Sequence, residues 1–339
     1  MFKTIGFCLA LLVALSSVLL STLAYGADVT VSGTARFQFT AREDVDPSTN
    51  FFLRDARLKG AAKLTDKISA MVYVDATKQP SLLEANVEYT QAPYGTLRFG
   101  QFQVPFGYET QNSNFDVEAI DRSRMLNYIW YNGKTNAYLR DAGAMAYGRY
   151  KLLGYQVAVL NGTGLNTSDT NNYKDIVGRI GVGIPMFVGL GASVYQGKWG
   201  PQEDLMKRTA YGFDLFLDTG KVLVETEYIA AKGRVTGTST SLDVKHGGLY
   251  AIVGYRITPL IEPVFKYDKY DPDKDIDDDE LTAFYTGINL NFERKARLQV
   301  FYVMKDATGT DVELPGALAG DPTRVGYTHQ LLVQAQAKF

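Results

Sequence analysis

Val29-Thr30-Val31-Ser32-Gly33-Thr34-Ala35-Arg36-Phe37-Gln38-Phe39-Thr40-Ala41-Arg42 places apolar or small residues at every odd position and polar ones at every even position. Successive side chains of a β-strand point to opposite faces, so this run has one apolar face and one wholly polar face. The pattern recurs down the chain. Ile68, Ala70, Val72 and Val74 oppose Ser69, Tyr73 and Asp75, and Leu83, Ala85, Val87 and Tyr89 oppose Glu84, Asn86 and Glu88. Further runs begin at Ile176, Tyr211, Val222, Leu249, Ile261, Ala296 and His329. Tight turns such as Ala92-Pro93-Tyr94-Gly95 separate the runs, which makes them hairpins.

The N-terminus has a different character. Lys3 precedes an apolar run from Ile5 to Leu20, and Ala24-Tyr25-Gly26 supplies small residues at a cleavage site. Residues 1–26 are therefore expected to be a cleaved signal peptide, and 27–339 a single domain. Cys8, the one cysteine, lies in that leader. The mature chain then offers no disulfide, thiolate metal site or covalent haem attachment, and no cofactor is expected. Net charge is −2, or −3 once Lys3 is removed (34 basic against 37 acidic), which leaves no basic face for nucleic acid.

The longest uncharged run, Ile180 to Gly197, approaches the length of a membrane helix. Its five glycines and Pro185, with apolar residues spaced by two, read instead as two strands and a turn. About sixteen strands, or fourteen on the shorter count, fit the 313 mature residues (339 less 26) at roughly twenty residues per strand and turn. A soluble sandwich would carry large apolar residues inward. Here the apolar face is mostly Ala, Val, Gly and Leu, with Tyr and Phe near strand ends, as a lipid-facing wall with aromatic girdles requires. The expectation is an all-β, transmembrane, antiparallel up-and-down β-barrel in a Gram-negative outer membrane. Phe339, ending the last alternating strand, is expected to be the signal read by the barrel assembly machinery.

The alternation breaks at one place. Leu97-Arg98-Phe99-Gly100-Gln101-Phe102-Gln103 is a strand, stopped by Pro105 and Gly107. A long mixed-charge segment follows, and 105–140 is expected to be a third loop that folds inward as a constriction. Enzymatic groups are scarce. His246 is placed in a loop and His329 on the lipid face near the rim, neither in a catalytic motif. The acidic run Asp271 to Glu280 fails as a calcium loop, because Ile276 stands where Gly is needed and Thr282 where the last Glu belongs. It is expected to be a solvated outer loop that meets lipopolysaccharide and divalent ions.

Several segments resemble the phosphate-selective porin O and P family: Leu53-Arg54-Asp55-Ala56-Arg57-Leu58-Lys59-Gly60, Gly100-Gln101-Phe102-Gln103-Val104-Pro105-Phe106 with Glu109, Asp121-Arg122-Ser123, Arg140-Asp141-Ala142-Gly143, Leu160-Asn161-Gly162 and Lys174-Asp175-Ile176-Val177-Gly178-Arg179. Gln103 stands where the family usually has a basic residue. The resemblance implies a sixteen-stranded homotrimeric porin, not an enzyme, whose third loop narrows a water-filled pore for small hydrophilic solutes. Anions are the expected preference, phosphate among them. Arg36, Arg57, Lys59, Arg98, Arg122, Arg124 and Arg140 are the candidates for the electropositive side of the constriction. Glu109, Asp116, Glu118 and Asp121 are the candidates for the opposing field. Two rival expectations are a barrel sheath around a partner such as an electron-transfer cytochrome, and an outer-membrane hydrolase.

Overall fold

The computed structural model describes residues 28–42, 47–77, 81–92, 94–128, 140–200, 202–203, 205–233, 244–277, 280–293, 295–307 and 329–339. The expected leader and residues 129–139 of the expected constriction loop lie outside the described residues. Sixteen strands follow in order: β1 Asp28–Arg42, β2 Thr49–Lys63, β3 Ile68–Asp75, β4 Ser81–Ala92, β5 Gly95–Gln103, β6 Arg140–Tyr150, β7 Leu153–Leu160 and β8 Asp175–Ile184. The second half holds β9 Val188–Trp199, β10 Met206–Asp218, β11 Val222–Gly233, β12 Val244–Tyr255, β13 Ile261–Asp271, β14 Leu281–Phe292, β15 Ala296–Ala307 and β16 His329–Lys338.

Each strand pairs with its sequence neighbours, and β1 pairs antiparallel with β16, so the sheet closes into a barrel. Closure matters in lipid, where every unpaired backbone group on an open edge would cost several kcal/mol. At the seam Gly33 and Phe339 exchange both backbone hydrogen bonds, each 3.0 Å. A Cβ on Gly33 would lie 2.4 Å from Phe339 Cζ, so only glycine leaves room for the terminal ring.

Alternation sorts the side chains. Phe37, Phe99, Ile176, Ile180, Phe213 and Val253 are exposed on the outside, whereas Arg36, Gln38, Asp175, Asp214 and Lys266 are buried inside. Connections at one end are tight turns, including 64–67, 151–152, 185–187 and 219–221; the other end carries the longer connection 161–174 and the segment that leaves β5 at residue 104. Short turns mark the periplasmic end of such a barrel and long loops the outer one.

Two bulges alter the simple alternation. Arg36 faces Asp55 but Phe37 faces Leu53, so Arg54 is the extra residue in β2. Arg54 and Asp55 consequently both reach inward-facing partners, Gln38 and Arg36 respectively. Likewise Tyr73 faces Glu84 and Val74 faces Leu82, which leaves Leu83 as the extra residue in β4. Strict alternation puts Leu83 on the lipid face. Instead it is buried at 3% exposure and Leu82 takes the outward position. His246 is also corrected: it lies within β12, buried, with Nδ1 3.4 Å from Tyr270 Oη.

Candidate channel and its inner loop

β5 ends at Gln103, and Val104-Pro105-Phe106 leaves the sheet, because Pro105 has no N–H to continue the ladder. Phe106 is fully buried, edge-on to Tyr195 at 6.5 Å. Gly107 adopts a positive φ of 74°, which glycine accepts without strain, and the chain turns along the inner wall. There the Glu227 carboxylate of β11 accepts the backbone N–H of Tyr108 and of Glu109, each at 3.2 Å. Gly107 N–H donates to Ser193 Oγ at 3.0 Å. Two single turns of 3-10 helix follow, Glu109–Gln111 and Asn114–Asp116, the second opened by Ser113, whose Oγ accepts Phe115 N–H. A short helix α1, Arg124–Tyr128, then packs against β12 and β13.

The candidate residues fall into distinct places. Arg36 is buried and donates Nε–H to both oxygens of Asp55 at 3.0 Å, and the same carboxylate accepts Asn114 Nδ2–H of the inner loop at 2.9 Å. Arg57 lies 3.6 Å from Asp55 and donates to Asp75 at 3.0 Å. Arg140 donates Nε–H and Nη2–H to Glu84 at 3.0 and 2.9 Å. Tyr73 receives both guanidiniums over its ring, at 6.0 Å for Arg57 and 5.8 Å for Arg140. Nearer the periplasmic end, Arg98 pairs with Glu88 at 2.6 Å and lies 4.9 Å over Tyr147. Lys59 is exposed and makes no ion pair among the described residues.

The loop residues serve mainly to hold the loop. Arg122 donates to the carbonyls of Glu109 and Asn112 and to Asn114 Oδ1 at 3.1 Å. Glu109 in turn accepts Ser123 N–H at 2.8 Å, so these two candidates knit residues 109–123 together. Asp121 pairs with Arg54, Glu118 with Arg297 at 3.0 Å, and the exposed Asp116 with Lys338 at 3.6 Å. Arg124 donates its backbone N–H to Asp268 at 3.0 Å, and its buried Nε has no hydrogen-bond partner among the described residues. The four acidic candidates therefore attach to neighbouring groups of loop and wall.

Beneath the loop, toward the periplasmic turns, lies a cavity of about 1970 Å³. Tyr108, Gln111, Asn112, Phe115, Asp116 and Glu118 form its roof. Its lining carries seven basic side chains (Arg149, Arg179, Lys221, Arg256, Lys295, Arg297, Lys338) and seven acidic ones (Asp116, Glu118, Asp214, Asp218, Glu225, Glu262, Glu293). Many are joined across strands, as Arg179 with Asp214 and Arg256 with Asp218.

Sequence reading missed the residues that grip the loop. Arg54, Glu227 and Asp268 were not singled out for this role, nor were Asn289, Gln299, Gln334 and Gln336. The doublet Arg54-Asp55, two charges in succession where alternation calls for one, was the available signal for the first. The cross-strand pairs were also within reach: Arg36 and Asp55, Arg57 and Asp75, and Arg98 and Glu88 are direct register partners.

A closed sixteen-stranded antiparallel barrel, apolar outside and charged within, defines an outer-membrane porin, a channel in class. The chain belongs to the phosphate-selective porin O and P family, whose model matches residues 32–207. No curated protein matches it by sequence. Solved structures similar to it include OmpF of Salmonella typhi, at a TM-score of 0.69 and 13% identity over 93% of this chain and 99% of that one. The anion-selective porin of Comamonas acidovorans follows at 0.65 and 14%, over 92% and 100%. The channel DcaP of Acinetobacter baumannii gives 0.64 and 14%, over 92% and 97%. At such identities the likeness is one of fold.

Proposed function

We propose that the protein is a passive channel for small hydrophilic solutes in which residues 104–128 form the constriction and anions are mildly preferred. The observation that carries this reading is the large charged cavity bounded above by the loop and open among the periplasmic turns. Because its charges are balanced and largely paired, their fields cancel within a few ångströms and are further screened over a Debye length of ~8 Å at physiological salt. Such a wall discriminates weakly. The anion bias is supported by the family, by the anion-selective Comamonas porin, and by Lys59, Lys221 and Lys295, which make no ion pair among the described residues. A trimer, the assembly role of Phe339 and removal of residues 1–26 belong to the same proposal.

The test is the reversal potential of the purified protein in planar bilayers under a salt gradient. Anion permeability should exceed cation permeability by a small factor, and strong cation preference would overturn the anion part. Changing Arg122 and Arg124 together to Ala should move the reversal potential toward the cation side. An unchanged value would place both side chains away from the conducting path.

Acidity should strengthen the bias. Burial pushes the Glu118 carboxyl above the ordinary carboxylate range, against the opposing pull of Arg297. As pH falls, Glu118 therefore loses its negative charge earlier than a solvated carboxylate, and Arg297 is left uncompensated. Anion preference should rise over that interval in the native chain, and this step should be absent in Glu118→Gln. Identical pH profiles for the two proteins would remove Glu118 from the path.

A further inference from the structure

Five adjacent strands in barrel order, β1, β16, β15, β14 and β13, each aim at least one donor at the backbone of the inner loop, and β15 adds a second, Arg297 Nη1, 3.4 Å from the Val117 carbonyl. Arg36 Nη1 reaches the Asn114 carbonyl at 3.4 Å, and Gln336 Nε2 the Phe115 carbonyl at 3.1 Å. Gln299 Nε2 lies between the carbonyls of Val117 and Glu118, at 3.3 and 3.2 Å. Asn289 Nδ2 reaches the Glu118 carbonyl at 3.0 Å and Lys266 Nζ the Asp121 carbonyl at 3.0 Å. Residues 114–121 thus cross the wall with their carbonyls bound in sequence.

Three of these donors, Gln336, Gln299 and Asn289, are uncharged amides, and their orientation is fixed from behind. Gln334 Nε2 donates to Gln299 Oε1 at 2.9 Å and to Gln336 Oε1 at 3.2 Å, which turns both amide NH2 groups toward the loop. Gln299 also donates to Asn289 Oδ1 at 3.0 Å. All four amides are buried. A lysine or arginine could hold the same carbonyls, but its charge would act on every passing ion. An amide holds the loop and contributes no net field.

We propose that Gln299, Asn289 and Gln336, oriented by Gln334, are positioning residues that set the bore of the channel by pinning residues 114–121 to the wall, independently of its ion preference. This rests on the reading above, that the loop bounds the conducting path. A loop carbonyl released from the wall can regain a partner from lumen water, so the freed segment moves into the pore and partly closes it.

The experiment compares single-channel records of the native protein with Gln299→Leu/Gln336→Leu, near-isosteric changes that remove donors and add no charge. On the ordinary strength of an intramolecular hydrogen bond, two lost donors raise the frequency of partial closures roughly 30-fold. The reversal potential should stay at the native value. Quiet, native-like steps from an intact heat-resistant barrel would overturn the proposal, as would a shifted reversal potential at unchanged noise. If the double variant does not insert, Asn289→Leu is read in the same way. Deletion of residues 113–121 separates the two levels of inference. Native conductance in that deletion would mean that the loop does not bound the path at all, whereas increased conductance beside quiet leucine variants would fault only the amide pins.

Discussion

Asp55→Asn is expected to yield a less stable barrel with a stronger preference for anions. Asp55 is 2% exposed and lies between the guanidiniums of Arg36 and Arg57, themselves 2% and 4% exposed, while also accepting Asn114 of the inner loop. Arg57 keeps Asp75 after the change. Arg36 keeps only neutral acceptors, the amide oxygen that replaces the carboxylate and the Asn114 carbonyl at 3.4 Å, so a buried cation loses its counter-ion. Removing one partner of a buried pair costs about 3–5 kcal/mol, because the remaining charge stays desolvated. The same substitution removes a negative charge at the place where β1, β2 and the loop meet. Its effect should therefore appear twice, as a lower midpoint in guanidinium unfolding and as a reversal potential moved toward the anion side. A barrel with the native midpoint would show that Asp55 does not neutralise Arg36. Asp116→Asn is the matched control: its pair with Lys338 is solvent-exposed and long, and exposed pairs contribute ~0–1 kcal/mol.

The outer surface was legible in the sequence because lipid imposes one requirement on it, and a period of two records that requirement directly. Phe37, Ile180, Phe213 and Val253 all lie where alternation places them. The bulges were not legible as positions, since one extra residue changes which side chain faces inward without changing composition. Leu83 was misplaced for that reason, and Arg54 passed unnoticed as the partner of Asp121. The break at Pro105 marks where the chain leaves the sheet after β5. The path of the inner loop was beyond reach, because the groups that hold it lie far away in sequence: Gln336 bonds the carbonyl of Phe115, 221 residues before it, and Gln299 that of Val117, 182 residues before it. Amides such as these read as ordinary polar-face residues until the loop is seen above them. Arg36, Arg57, Arg98 and Arg140 all pair with carboxylates of the inner wall. Listing them without their register partners exaggerated the positive character of the lumen, since Asp55, Asp75, Glu84 and Glu88 stand directly beside them.

Two glycines in the wall should respond to the same substitution in opposite ways. Gly100 lies in β5 opposite Asn86 of β4 at a φ of 127°, a conformation that side-chain-bearing residues rarely adopt. An added Cβ would meet the carbonyl oxygen of Ala85 at 2.2 Å and Asn86 Cα at 2.9 Å. Both are backbone atoms of the paired strand, so neither can turn aside as a flexible side chain would. Gly100→Val then forces β5 away from β4, at a backbone strain cost of up to about 3 kcal/mol before any lost ladder bonds are counted. In a closed barrel that separation also opens an edge to lipid. Gly60 in β2 is different: nothing lies within 4 Å of its would-be Cβ. Gly60→Val gains β-propensity and apolar surface at a site next to the outward-facing Leu58, and should fold as the native chain does. The measurement is the fraction of protein that migrates as the compact, heat-resistant form after refolding into detergent. It should fall steeply for Gly100→Val and hold for Gly60→Val. Equal fractions would mean that β4 and β5 can separate at this height without loss.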